Sequence, residues 1–257
     1  MTGSAAVVVP TFRAPTSDDE RMSLGRLADQ LGSYDRFLLV PESLDIGPTD
    51  LAPMRFDDRH FRTHRDYCRL MMSDAFYRRF SEYEFVLVHQ PDSLVLSDEL
   101  ARWCAEGYDY VGAPWVREAP DGSLFFNGVG NGGFSLRRVE SCVRVLEARR
   151  SALRRLEVGA RHFREVARRV VRQPASFRQV LRDRYVYEDK FWSFEAPRLC
   201  PEFRIPPPEV AVAFAFETQP RFCFEQNGRR LPFGCHKWRA HDPAFWEEHL
   251  SERFAPS

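Results

Sequence analysis

The run Phe85-Val86-Leu87-Val88 is entered from Glu82-Tyr83-Glu84 and left through His89-Gln90-Pro91-Asp92-Ser93, and it has no polar residue to turn toward water. A strand of that kind is buried on both faces, which is the habit of parallel sheets covered by helices on each side. The flanking sequence agrees. Ala5 to Val9 is a short apolar run closed by Pro10-Thr11, and Tyr34 to Val40 is another closed by Pro41. Between them Ser17-Asp18-Asp19-Glu20 offers a helix cap and early acids that suit the helix dipole, followed by Met22, Leu24, Leu27 and Leu31 at helical spacing. Tyr67, Leu70, Met71, Phe76 and Phe80 predict a helix over 65–80 that feeds the Phe85 strand. Strand alternating with helix predicts an α/β fold with a mostly parallel central sheet flanked by helices.

Further on, 98–105 reads as a short helix and 108–112 as a strand that Ala113-Pro114-Trp115 leaves as a loop. The glycine-rich stretch Gly128-Val129-Gly130-Asn131-Gly132-Gly133 precedes a helix over 139–150. Residues 201–208 are proline-rich and extended, 210–216 alternate as a strand would, and a short surface helix starts near Pro243. Thirteen arginines face only four acids over 144–184, with apolar residues threaded at near-helical spacing. That segment reads as a basic amphipathic helical insert, broken near Pro174, within one domain spanning 1–257. It is either a solvated helix face or a docking surface for an acidic partner or an anionic membrane.

Thirty-seven basic and thirty-seven acidic residues cancel, so bulk charge gives no basis for a nucleic-acid binder. No apolar run reaches the roughly 20 residues of a membrane span. The six cysteines are scattered, without a C-x-x-C pair, which argues against a structural zinc site and a disulfide framework and fits a reduced, cytoplasmic protein.

Asp92 falls just past the end of a buried strand, the edge at which open α/β sheets bind ligands. It either caps the next turn or holds a divalent cation. Glu188-Asp189, set among Tyr185, Tyr187, Phe191 and Trp192, is either an exposed acidic pair or a partly buried one; burial would make a better general base. His236, beside Cys235 and Lys237-Trp238, is either structural or a ligand. One Asp, one His, phosphate oxygens and water would complete an octahedral Mn²⁺ or Mg²⁺ site. The glycine stretch has neither phosphate-loop nor dinucleotide spacing, and Ser93 and Ser135 lie in no nucleophile elbow.

Five segments taken in order are Gln90-Pro91-Asp92-Ser93, Tyr108 to Trp115, Gly130 to Arg137, Glu188 to Trp192 and Phe233 to Trp238. Together they resemble a family of bacterial proteins of undefined function allied to the GT-A glycosyltransferases. The resemblance implies a GT-A-like, Rossmann-like domain that moves a sugar from a nucleotide-sugar donor to an acceptor hydroxyl, the acceptor being a glycan, a lipid-linked sugar or a small molecule. It implies Asp92 as the last acid of a D-x-D motif whose first position is Gln90, with His236 completing the metal shell. It also implies Asp189 as the base of an inverting reaction and Glu188 as its acceptor-orienting neighbour. Pro10, Thr11, Gln90, Asn131, Gly132, Gly133, Phe134 and Trp192 are the residues expected at donor and acceptor. Two other readings stay open: a non-catalytic nucleotide or sugar binder with a degenerate motif, and an adaptor acting through its basic helix.

Overall fold

In the computed structural model, which describes residues 4–13, 17–167 and 187–254, the strand from Phe85 is the fourth of eleven. In chain order these are β1 (Ala5–Pro10), β2 (Asp35–Pro41), β3 (Ala52–Phe56), β4 (Phe85–His89), β5 (Ser93–Val95), β6 (Tyr110–Gly112), β7 (Pro114–Glu118), β8 (Leu124–Val129), β9 (Phe134–Arg138), β10 (Ala215–Phe216) and β11 (Gly234–His236). Six form the central sheet in the order β3-β2-β1-β4-β9-β6. β9 runs antiparallel to both its neighbours and the other pairings are parallel, so the sheet is mostly parallel, as expected.

Strand periodicity explains why β1 and β4 carry no polar face. Ala6, Val8, Val86 and Val88 point into one apolar layer with Met71, Phe76 and Trp192, while Val7, Val9, Phe85 and Leu87 point into a second with Leu27, Leu31 and Trp103. The second layer is closed by α1 (Asp18–Leu31). Its N-terminus is fixed by a capping box in which Ser17 accepts from the Glu20 amide while the Glu20 carboxylate accepts from the Ser17 amide. Ser23 of α1 then donates from its buried hydroxyl to the Ser93 carbonyl at 2.6 Å, tying the helix to the start of β5.

Several expectations are corrected. The helix over 65–80 is split into α2 (His64–Met71), α3 (Asp74–Tyr77) and a 3₁₀ turn at Arg78–Phe80. Ser73 makes the break: its hydroxyl donates to the Leu70 carbonyl and accepts from the Phe76 amide, ending one helix and capping the next. Pro114-Trp115 is not a loop but opens β7, which pairs antiparallel with β8. Over 210–216 the alternation misleads, because Pro207 and Pro208 start a helix, Pro208–Phe214, leaving only Ala215–Phe216 as strand. The C-terminal helix Pro243–Phe254 is no mere surface element, since Phe245, Trp246 and Leu250 are buried in a third apolar cluster. β3, β5, β8, β9 and β11 are not among the strands that the sequence predicts.

α4 (Leu100–Ala105) covers the same face as α1, through Leu100 and Trp103. The helix expected over 139–150 is the base of the longer α5 (Val139–Ala167). The rest of the arginine-rich segment, with its expected break at Pro174, and Tyr185 lie outside the described residues. Among the described residues no helix is long and apolar enough to cross a membrane.

Candidate active site

A second, three-stranded sheet in the order β10-β11-β5 brings three distant residues together at one end. β5 pairs antiparallel with β11, setting His236 opposite Ser93, and the Lys237 amide donates to the Asp92 carbonyl at 2.9 Å. β10 pairs in parallel with β11, so that Phe216 lies opposite Cys235 and Glu217 follows at the same edge. His236 is therefore the central member, flanked by Asp92 on one strand and Glu217 on the other. Its Nε2 lies 3.2 Å from Asp92 Oδ1 and 3.0 Å from Gln90 Oε1. Its Nδ1 lies 3.1 Å from Glu217 Oε2, off the line of a hydrogen bond, and Lys237 Nζ is 3.5 Å from the other oxygen of Glu217.

Burial works against charge on His236, but the two carboxylates outweigh it and push its pKa up to about 9. Burial likewise works to raise the carboxyls of Glu217 and Asp92, and His236 and Lys237 hold both below their ordinary values. His236 and Glu217 are almost fully buried, whereas the Asp92 side chain is 53 % exposed and so is the member that meets solvent.

The loop before β9 separates this cluster from the acidic pair. The Gln90 amide donates to the Gly133 carbonyl at 2.8 Å, pinning the loop to the end of β4. A β-carbon on Gly132 would lie 1.9 Å from Glu188 Oε1, and one on Gly133 would lie 2.3 Å from the His236 ring. Adjacent glycines thus let one stretch of backbone lie against Glu188 and, one residue later, against His236. Glu188 opens the short helix α6 (Glu188–Lys190) and is buried, with Oε1 2.9 Å from the Arg137 guanidinium. Arg137 is wholly buried and also donates to the Ser135 and Tyr77 hydroxyls and the Gly132 carbonyl. A buried ion pair of this kind is tolerable because its remaining donors are satisfied.

Asp189, the next residue, is only partly buried and accepts from the Lys190 amide at 2.7 Å. Burial first, and then the neighbouring Glu188 charge, raise its pKa above the ordinary carboxyl range. Asp189, Glu188, Asn131, Gly132, Gly133, Gln90, Glu217 and His236 line one cleft of about 380 Å³. Pro10, Thr11, Gln90 and Asp92 line an adjoining hollow of about 630 Å³, which shares His64, Tyr67 and Gln90 with the cleft.

The family described as "Protein of unknown function (DUF5672)" matches residues 50–236. The chain belongs to that family. No match is found among curated proteins. Among solved structures, this DUF5672 chain is similar to a glycosyltransferase involved in the glycosylation of the major capsid of PBCV-1, at 12 % identity and a TM-score of 0.45, over 97 % of this chain and 99 % of that one. It is also similar to the mannosyltransferase Ktr4p from S. cerevisiae in complex with GDP, at 10 % identity and a TM-score of 0.33, over 46 % of this chain and 42 % of that one.

Two of the residues expected at donor or acceptor are core residues in the DUF5672 structure. Trp192 is fully buried, stacked on Phe203 and edge-on to Tyr77, and Phe134 is buried among Phe214, Phe233 and His89. Glu188 also differs from expectation, because its carboxylate is held by Arg137 beneath the glycine loop. Glu217 is a site residue that sequence reasoning misses. Its signal is that it follows an apolar run just as Asp92 does, but the alternation over 210–216 predicts a strand where a helix stands, and so hides the edge that Glu217 occupies.

Among the described residues no three His, Cys, Asp or Glu side chains converge as a metal site. The donor set still fits a single divalent cation. The Asp92 carboxylate and Gln90 amide oxygens lie near one imidazole nitrogen, and a carboxylate stands at the other nitrogen, the usual way of orienting a metal-binding histidine.

Proposed function

We propose that this DUF5672 protein is a nucleotide-sugar-dependent glycosyltransferase, with a divalent cation held by Asp92 and His236 and with Asp189 as general base. The observation that carries the reading is the pair of chemistries on either side of Gly132-Gly133. One is an imidazole between two carboxylates, the other a carboxylate whose basicity is raised, and both line one cleft at the carboxyl edge of β4. Sugar transfer needs positive charge where the diphosphate departs and a base where the acceptor hydroxyl attacks.

In this reading the hollow beside Pro10 and Thr11 takes the nucleoside, with Asp92 on its wall and Gln90 where it meets the cleft. A bound cation supplies Lewis-acid stabilisation of the diphosphate. Glu217 holds His236 with its Nε2 turned toward Asp92 and Gln90, and Lys237 adds positive charge beside Glu217. Asp189 takes the proton of the acceptor hydroxyl. Glu188, fixed by Arg137, keeps α6 against the loop rather than contacting the acceptor. A base opposite the leaving group gives inversion at the transferred carbon.

The test is release of nucleoside diphosphate from a panel of UDP-, GDP- and dTDP-sugars, with and without Mn²⁺, by wild type and by Asp189→Asn. Wild type should release nucleotide, and Asp189→Asn should keep nucleotide binding while transfer falls by about 10²–10⁴. Thermal stabilisation by nucleotides without release would instead make the protein a binder. Near-wild-type transfer by Asp189→Asn, or a retained anomeric configuration, would remove Asp189 from the role.

A further inference from the structure

Asn131, which lines the cleft, connects it to a pair of aromatic rings that the proposed reaction leaves without a task. Trp115, half-buried at the start of β7, donates from Nε1 to Asn131 Oδ1 at 3.1 Å. Phe194 stacks on the Trp115 indole with centroids 5.3 Å apart and planes 24° from parallel, yet Phe194 is 45 % exposed. Local geometry sets both rings. A β-carbon on Gly130 would fall 1.9 Å from the indole, so only glycine lets Trp115 lie flat on the backbone there. Residues Phe191–Glu195 form a π-helical turn, which directs Phe191 and Trp192 into the core while Phe194 faces solvent. Such turns recur at functional sites.

The layers run from the β8 backbone to Trp115, to Phe194, to water. One face of Phe194 is spent on the indole and the other is open. A single exposed ring is unremarkable, but a ring held flat by a second ring has lost its freedom before anything binds. Its size suits one six-membered ring. Asn131 holds the backing ring in place, since its Oδ1 accepts from the indole Nε1. An apolar flat face open to water matches a pyranose, which offers C–H groups on its face. The C–H groups are electropositive and meet the negative face of the aromatic ring.

We propose that Phe194, backed by Trp115, is a sugar-binding platform for a carbohydrate acceptor. Its place supports the acceptor rather than the donor, because Phe194 lies on the same helical stretch as Asp189, while the hollow beside Pro10 and Thr11 is lined by other residues. The assignment to an acceptor rests on the glycosyltransferase reading; the binding of a pyranose does not.

Maltohexaose, cellohexaose, mannohexaose and xylohexaose are the probes, titrated by calorimetry and saturation-transfer NMR into wild type, Phe194→Ala and Phe194→Tyr. UDP and GDP with Mn²⁺ are titrated into the same proteins, and thermal unfolding reports on their integrity. At least one hexasaccharide should bind wild type. Phe194→Ala should weaken it by about tenfold or more, the scale of losing one stacking contact, and Phe194→Tyr should restore it. Nucleotide affinity should stay within about twofold, since a single stacking loss would otherwise exceed that. The proposal is overturned if none of the four binds wild type, if Phe194→Ala binds as wild type does, or if Phe194→Ala weakens the nucleotide as much as the sugar. Sugar binding through Phe194 with no nucleotide binding would leave the platform standing and remove the glycosyltransferase reading. Nucleotide turnover with a silent Phe194 would do the reverse.

Discussion

Glu217 and Glu188 are both buried carboxylates beside a cation, and the difference in their partners gives them different duties. Glu217 faces an imidazole that has a second face toward Asp92 and Gln90, so what it fixes is the orientation of a group that itself meets the cleft. Glu217→Gln keeps the shape and removes the charge. Calorimetry should show Mn²⁺-dependent binding of a nucleoside diphosphate weakened by about 10–100-fold, the usual cost of losing a carboxylate behind a metal-binding histidine. Unchanged affinity would mean that His236 needs no such partner. Glu188 instead faces Arg137, which is wholly buried and touches no solvent. Glu188→Gln leaves that guanidinium charged and unpaired, so denaturant unfolding should show a loss of about 3–5 kcal/mol. A loss below about 1 kcal/mol, the scale of an exposed pair, would mean that the pair is open to solvent rather than buried.

α5 divides between core and solvent along its own length. Val139, Cys142, Val145 and Leu146 are buried in the same apolar layer as Trp192, whereas Arg154 and Arg155 are exposed. Leu146→Ala should therefore cost about 2–5 kcal/mol by denaturant unfolding, and Arg154→Ala with Arg155→Ala less than about 0.5 kcal/mol each. Equal effects would contradict the division. Elements with an unmistakable local signal are legible in the sequence: β1 and β4 because their apolar runs leave no face for water, β2 because its run is closed by Pro41, and α1 because Ser17 and Glu20 form its cap. Asp92 stands out in the sequence because it lies just past an apolar strand, whereas His236 stands out only through the family resemblance. The rest is hidden for one physical reason: adjacency along a chain is not adjacency in space. Trp192 follows Asp189 by three residues, but the π-helical turn sends it into the core. Glu217 follows a helix that two prolines impose on a pattern of alternating apolar residues, and only the pairing of β10 with β11 brings it to His236.

At the scale of the whole molecule the sheet buries an imidazole that its fold does not serve. His89 ends β4 fully buried, with neither ring nitrogen hydrogen-bonded and its ring edge-on to Phe134. Burial pushes its pKa down to about 4; of the charged groups nearby, Asp92 opposes that lowering and His236 adds to it. The unfolded chain takes up this proton near pH 6.5 and the folded chain only near pH 4, so between those values the unfolded state binds more protons. The contribution of His89 to stability is thus fully present above pH 6.5 and falls as pH drops toward 4. The loss from this residue alone is about 3 kcal/mol, since every tenfold difference in proton affinity between the two states is worth about 1.4 kcal/mol. Asp92 and Glu217, held below their ordinary values, add to the loss only at lower pH, as they too become protonated. His89→Leu replaces the imidazole with an apolar side chain and leaves those carboxylates in place. Denaturant unfolding of both proteins at intervals from pH 7.5 to pH 4 should show wild type losing more stability than the variant, with the difference developing below about pH 6.5. Parallel curves would mean that His89 gains a partner when protonated and that the end of β4 is less tightly closed than its burial implies.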